Sequence, residues 1–253
     1  IAPITPVRAV ASDFSEVDAY IEMYMANNRI PGASLTISRS GKLIYSKGYG
    51  IAGPNLEMTP DTPMFIGSQT KSFTALAVMQ LVEAGKIELN APIQQYIPWF
   101  QVDDPRSAEI TVRSLLNHSS GLSEVGYVPN LPDNSSLEEA VRDLRRARLT
   151  TEVGGKFQYF NPGYITLGYL IEVVSGQTYG DYLREHIFEP LGMTRSSANP
   201  DEYPLLDIAQ GYTQLFVFPF PMEQRVPRFY LPAGFIVSTA NDMARYLMAM
   251  ENG

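Results

Sequence analysis

Gly67-Ser68-Gln69-Thr70-Lys71-Ser72-Phe73-Thr74-Ala75-Leu76-Ala77-Val78-Met79-Gln80-Leu81-Val82-Glu83-Ala84-Gly85 is the stretch on which the reading of the fold turns. Phe73, Leu76, Ala77, Leu81 and Val82 recur at helical spacing, so the run predicts a long helix that opens near Ser68 and stops at Gly85. A serine at a helix start lies among backbone N–H groups that have no intrahelical partner, and the helix dipole favours negative charge there. A lysine three residues on sits one turn along the same face, within reach of the hydroxyl. Serine needs such a proton-accepting partner to act as a nucleophile. The alternative reading is an N-cap serine followed by a surface lysine.

Outward from this helix the elements are uneven. A helix is expected from Phe14 through Val17, Ile21 and Met25, capped by Ser12 or Asp13 and ended by Pro31-Gly32. Residues 33–38 and 43–49 alternate apolar and polar around Ser40-Gly41, a hairpin signal. Turn residues fill 53–63. Helical segments follow near 111–117, 137–148, 163–175 and 179–188, and a last one opens at Ser238-Thr239, where Thr239 and Asp242 have capping-box spacing. Later strands are weak, with candidates only at 214–220 and 234–237. The expected class is therefore α+β, a small antiparallel sheet packed against a large helical region. A lone hairpin is marginal in water, so the sheet pattern looks unfinished. Residues 1–12 read as a disordered lead-in, 13–60 as a sheet lobe and 61–253 as a mainly helical lobe. The apolar segment 215–222, broken by two prolines, reads either as core packing or as a surface that meets a substrate, a missing segment, a subunit or a membrane.

Composition removes several chemistries. There are no cysteines, so thiol nucleophiles, disulfides and thiolate metal sites are excluded. The net charge of −8 and the absence of a basic stripe argue against nucleic acid. The cluster Arg142, Arg145, Arg146 and Arg148 is interleaved with Glu138, Glu139 and Asp143 and reads as a solvated face. No run approaches the roughly 20 apolar residues of a membrane span, and Ile1 to Pro6 lacks the features of a signal peptide. His118 reads as a loop residue, and His186 as a surface or packing residue. Gly154-Gly155 reads as a turn.

A second candidate cluster is Tyr159-Phe160-Asn161. A tyrosine beside a cationic lysine can serve as a general base. An asparagine two residues on projects to a similar side of extended backbone, where it can hold a substrate amide or the lysine. Read alone, these residues are equally a packed tyrosine and an Asn-Pro-Gly turn.

Taken together, Ser68-x-x-Lys71 and Tyr159-x-Asn161 resemble the penicillin-recognising serine hydrolases, in the branch of class C β-lactamases, D-alanyl carboxypeptidases, D-aminopeptidases and related esterases. The segments 110–122, 159–172, 190–193 (Pro-Leu-Gly-Met) and 233–242 are similar to that branch in the same order. The resemblance implies a serine hydrolase or acyl transferase in which Ser68 is acylated, Lys71 and Tyr159 share the proton work as a coupled pair, and Asn161 binds substrate. It implies an amide or ester substrate (a D-amino-acid peptide, a β-lactam or a small ester), no metal, no organic cofactor, and an extracellular or periplasmic setting near membrane or cell wall. Phe160 departs from the small residue usual between the tyrosine and asparagine. The family's third motif, a Lys/His-Thr/Gly-Gly run on a later strand, has no match. We therefore expect the N-terminal portion of a longer protein. The alternative function is a catalytically silent binding module, or a fragment active only with its C-terminal remainder.

Overall fold

The computed structural model describes residues 13–215 and 218–252, so the expected lead-in at 1–12 lies outside the described residues. Helix α1 (Ser15–Asn28) leads into the hairpin of β1 (Gly32–Arg39) and β2 (Lys42–Gly53), extended by the short β3 (Leu56–Glu57). The register runs from Gly32 opposite Gly50 to Arg39 opposite Lys42. Ser40 and Gly41 both have positive φ (51° and 68°), the mirror-image turn whose twist matches a hairpin. Asp13, one of the two residues expected to cap α1, accepts from the Ser15 N–H through its Oδ1 at 2.9 Å, and Ser12 lies outside the described residues.

Strand alternation places α1 and the final helix on opposite faces of this sheet. Tyr45, Lys47 and Tyr49 share one face of β2, and all three donate to Asp18 of α1. Thr36 and Ser46 share the other, and both donate to Asn241 Oδ1, at 3.1 and 2.7 Å. Asn241 belongs to α8 (Ala240–Asn252), the closing helix. Between them come β4 (Met64–Phe65), α2 (Thr70–Glu83), α3 (Val112–Leu116), α4 (Leu137–Asp143), α5 (Asn161–Ser175), α6 (Tyr179–Leu183), the hairpin β5 (Gly211–Leu215) and β6 (Phe218–Met222), α7 (Leu231–Gly234) and β7 (Val237–Ser238). This is the expected mixed α+β arrangement of small antiparallel sheets and a helical region. The weak strand candidates become β5–β6 and β7, the latter pairing with β4 rather than with the first hairpin.

The helical core forms around α5. From Pro162 to Gly168, and at Leu170 and Ile171, α5 is buried, packing against α2, α3, α4, α6 and α7. Phe73 is fully buried and stacks on Tyr246 at 4.1 Å, tying α2 to α8. At the start of α8 the Thr239 Oγ1 caps the Asp242 N–H as expected, at 3.1 Å. The reciprocal half of the capping box is missing, because the Asp242 carboxylate instead accepts from Arg195 N and Ser196 Oγ. The arginine cluster is solvated: Arg142 pairs with Glu138 and Arg146 with Asp143, and the Arg142 guanidinium lies over Trp99. Of the apolar segment 215–222, Phe218, Phe220 and Met222 are exposed on β6, which departs from core packing, and Phe216 lies outside the described residues. Pro219 and Pro221 alternate with these side chains, a pattern tolerated because an edge strand leaves one row of N–H groups unpaired.

Candidate active site

The α-helix after Gly67 begins two residues later than expected. Gly67–Gln69 forms a 3-10 turn and α2 starts at Thr70. The tighter turn leaves Ser68 exposed at the N-terminal mouth of the helix and still brings Lys71 to the same side. Lys71 Nζ stands 3.2 Å from Ser68 Oγ, and Ser68 Oγ stands 2.7 Å from Tyr159 Oη. Three of the four sequence-selected residues thus meet at one hydroxyl.

Lys71 is only 7% exposed, so its ammonium needs partners. Besides Ser68 it donates to the Ala233 carbonyl at 2.5 Å, and it lies 4.9 and 5.7 Å from the ring centroids of Tyr159 and Tyr164. Ala233 is held in place by a clamp between α2 and the 231–238 segment. Thr74 Oγ1 donates to Pro232 O at 2.8 Å, the Ile236 N–H donates to Thr70 Oγ1, and β4 pairs with β7. A backbone carbonyl from 162 residues away has no sequence signal.

Tyr159 is set by His118. The imidazole is buried, with φ of 58° at its own residue, and its ring lies 4.6 Å from the Tyr159 ring. Its Nδ1 accepts from the Phe160 N–H at 3.2 Å, and its carbonyl accepts from the Gln158 N–H at 2.7 Å. Burial, with the Lys71 charge in second place, pushes the His118 pKa down to about 4, so the ring is neutral and able to accept. His118 lies in the expected loop, and its packing on the Tyr159 ring and bond to the Phe160 N–H also position Tyr159. Phe160, the departure from the usual small residue, is buried in the core, with the Tyr127 ring edge-on to it.

Asn161 does not continue an extended strand; it opens α5, with Pro162 next in its first turn. Its Nδ2 donates to Glu124 Oε1 at 2.6 Å and to neither Lys71 nor Ser68. Glu124, in an exposed stretch of the 119–136 loop, was missed because a single acidic residue in a loop carries no pattern. A cavity of about 450 Å³ lies apart from this cluster, lined by Glu172, Tyr179, Asp201, Arg228 and Leu231 among others. It contains none of the four selected residues, and its Arg228 is paired with Asp201. Among the described residues no helix is long and apolar enough to cross a membrane, and no group of three or more His, Asp or Glu side chains is placed to hold a metal.

The arrangement offers a hydroxyl with two proton-handling groups at a helix start, the parts from which acyl transfer is built. The chain is 31% identical over 238 residues to teichoic acid D-alanine hydrolase of Staphylococcus aureus, covering 91% of this chain and 57% of that one. The octameric penicillin-binding protein homologue from Pyrococcus abyssi superposes with a TM-score of 0.82 at 34% identity, over 93% of this chain and 56% of that one. The D-amino acid amidase from Ochrobactrum anthropi superposes with a TM-score of 0.78 at 31% identity, over 94% and 70%. The chain spans about half the length of the curated relatives it matches. Residues 17–253 match the family model described as Beta-lactamase, and the chain belongs to that beta-lactamase family.

Proposed function

We propose that this chain carries a serine acyl-transfer site that hydrolyses an amide or ester through an acyl-Ser68 intermediate. The observation that carries the reading is Ser68 Oγ lying between Tyr159 Oη and Lys71 Nζ at 2.7 and 3.2 Å. In the first step the Lys71–Tyr159 pair holds one proton fewer than ammonium plus phenol, and Ser68 Oγ bonds to the substrate carbonyl carbon while its proton passes to that pair. The carbonyl π electrons move to oxygen, and the resulting oxyanion is received by backbone N–H at the helix start. Collapse of that intermediate expels the amine or alcohol, which takes the proton back from the pair. Water then repeats the sequence on the Ser68 ester, its proton following the same route, and a carboxylic acid leaves. Asn161, two residues from Tyr159 at the start of α5, is the substrate contact in this reading. D-amino-acid peptides, β-lactams and small esters are the substrate classes, outside the cytoplasm. The likeness to a D-amino acid amidase and to a teichoic acid D-alanine hydrolase supports an amide or ester of a D-amino acid.

The test is intact-mass spectrometry after incubation with a fluorophosphonate. One adduct per chain, lost in Ser68→Ala, is the expected result. A folded wild-type chain that takes no adduct would refute the reading.

A further inference from the structure

The cavity of about 450 Å³ beside the start of α7 holds polar groups that the fold leaves unsatisfied. Its volume falls in the range of small-molecule sites, about 300–1,000 Å³. Glu172, in the last turn of α5, is half-buried and lines it. Glu172 Oε1 accepts from the Tyr179 N–H at 2.9 Å, which leaves Oε2 without a partner among the described residues. No lysine or arginine there pairs with Glu172, and burial pushes its carboxyl pKa up against the Tyr179 N–H that lowers it. Ser135, in the loop before α4, lines the same cavity at 7% exposure, and its hydroxyl makes no hydrogen bond among the described residues. Of their side-chain polar atoms, only Gln80 Oε1 is fully enclosed without a partner, so the Ser135 hydroxyl opens on the cavity. The neighbouring Asn134 amide is likewise unpartnered among the described residues.

The other charges around the cavity are already committed. Arg228 is paired with Asp201, and Asp181 accepts from Thr178 Oγ1 at 2.7 Å and Arg184 at 3.1 Å. An anion would therefore find no free cation and would meet the Glu172 charge. Nor are the carboxylates grouped to hold a metal ion. A wholly apolar ligand would leave the carboxylate and the hydroxyl unpaired, at the cost of their desolvation. What remains is a ligand that brings positive charge to Glu172 and groups that both donate and accept to Ser135 and Asn134. We infer that this cavity is a second ligand site, for a small hydroxylated amine whose ammonium sits on Glu172 and whose hydroxyl groups meet Ser135 and Asn134. Leu137 and Leu231, also in its wall, give the carbon skeleton an apolar contact. None of Ser68, Lys71, Tyr159 and Asn161 lines the cavity, so the inference stands or falls apart from the acyl-transfer reading.

The test is ligand-observed NMR titration with serinol and glycerol, which share a three-carbon skeleton and differ by an ammonium in place of the central hydroxyl. The wild type should bind serinol with a Kd lower than that for glycerol by about tenfold or more, the scale of one charge-assisted contact. That ratio should fall to within about threefold in Glu172→Gln, whose amide oxygen can still accept from the Tyr179 N–H. Ser135→Ala should weaken both probes by about three- to tenfold and leave their ratio unchanged. Melting curves check that the variants fold. A wild type that binds neither probe would show a cavity filled by water alone and would overturn the inference. Equal affinity for the two probes, or an undiminished ratio in Glu172→Gln, would overturn it too. Should Glu172→Gln fail to fold, Ser135→Ala decides: binding at wild-type affinity refutes the site.

Discussion

Gly168→Ala probes how far the site depends on packing behind it. Gly168 sits mid-way along α5 with φ in the ordinary helical range, so alanine is sterically compatible with its backbone and gains about 1 kcal/mol of helix propensity. The obstacle is tertiary. A Cβ at this position would lie 2.2 Å from Pro232 Cγ and 2.7 Å from Pro232 Cβ. Normal carbon–carbon contact is about 3.5 Å or more, so the proline must recede by roughly 1.3 Å. A proline ring in α7 cannot rotate out of the way, and the helix has to move with it. That overpacking costs about 1–3 kcal/mol, which leaves a net loss near 1 kcal/mol and a melting temperature lower by about 2–4 °C. The functional consequence should exceed the stability loss. Pro232 O accepts from Thr74, and Ala233 O accepts from Lys71, so a shift of α7 pulls on the proton-handling lysine. Misplacing a reacting group by about 1 Å costs up to 100-fold. We expect fluorophosphonate labelling of Ser68 to slow by about 10- to 100-fold in a chain that remains folded at 25 °C. Labelling at the wild-type rate in a variant with unchanged melting would refute the argument that α5 sets the site through α7.

Tyr159→Phe removes the hydroxyl 2.7 Å from Ser68 while keeping the ring against His118; labelling should fall by about 10²- to 10⁴-fold with little change in melting, and an unchanged rate would assign the proton work to Lys71 alone. His118 supplies a pH signature. Its folded pKa of about 4 lies below the ordinary 6.5, so between those values the unfolded chain binds a proton that the native ring refuses. Its share of stability is therefore complete above pH 6.5 and is lost as pH falls toward 4, by up to about 3 kcal/mol. Urea unfolding of wild type and His118→Gln across that range should give a difference that grows as pH rises, and parallel curves would show that folding leaves the His118 pKa unshifted.

Much of the candidate site was legible because its chemistry is local. Ser68 and Lys71 are three residues apart, and helical geometry alone brings a lysine to a serine over that distance, even though the turn proved to be 3-10 rather than α. The hairpin was legible for the same reason, since Ser40-Gly41 encodes a turn and the flanking alternation encodes the faces. The Thr239 cap was legible as well, but not the diversion of Asp242 to Arg195 and Ser196, because a local motif carries no information about a competing partner from another segment.

The sequence by itself determined which residues are the candidate nucleophile and proton carriers, and that the segments of α2 and α5 are helical, because residue type and periodicity specify both. Only the tertiary structure decided that Tyr159 crosses 91 residues to touch Ser68, that the Ala233 carbonyl anchors Lys71, that neutral His118 braces Tyr159, and that Glu124 takes the Asn161 amide. Those contacts join segments distant in the chain, and what brings them together is the burial of α5 against its neighbours rather than any preference of the residues in contact.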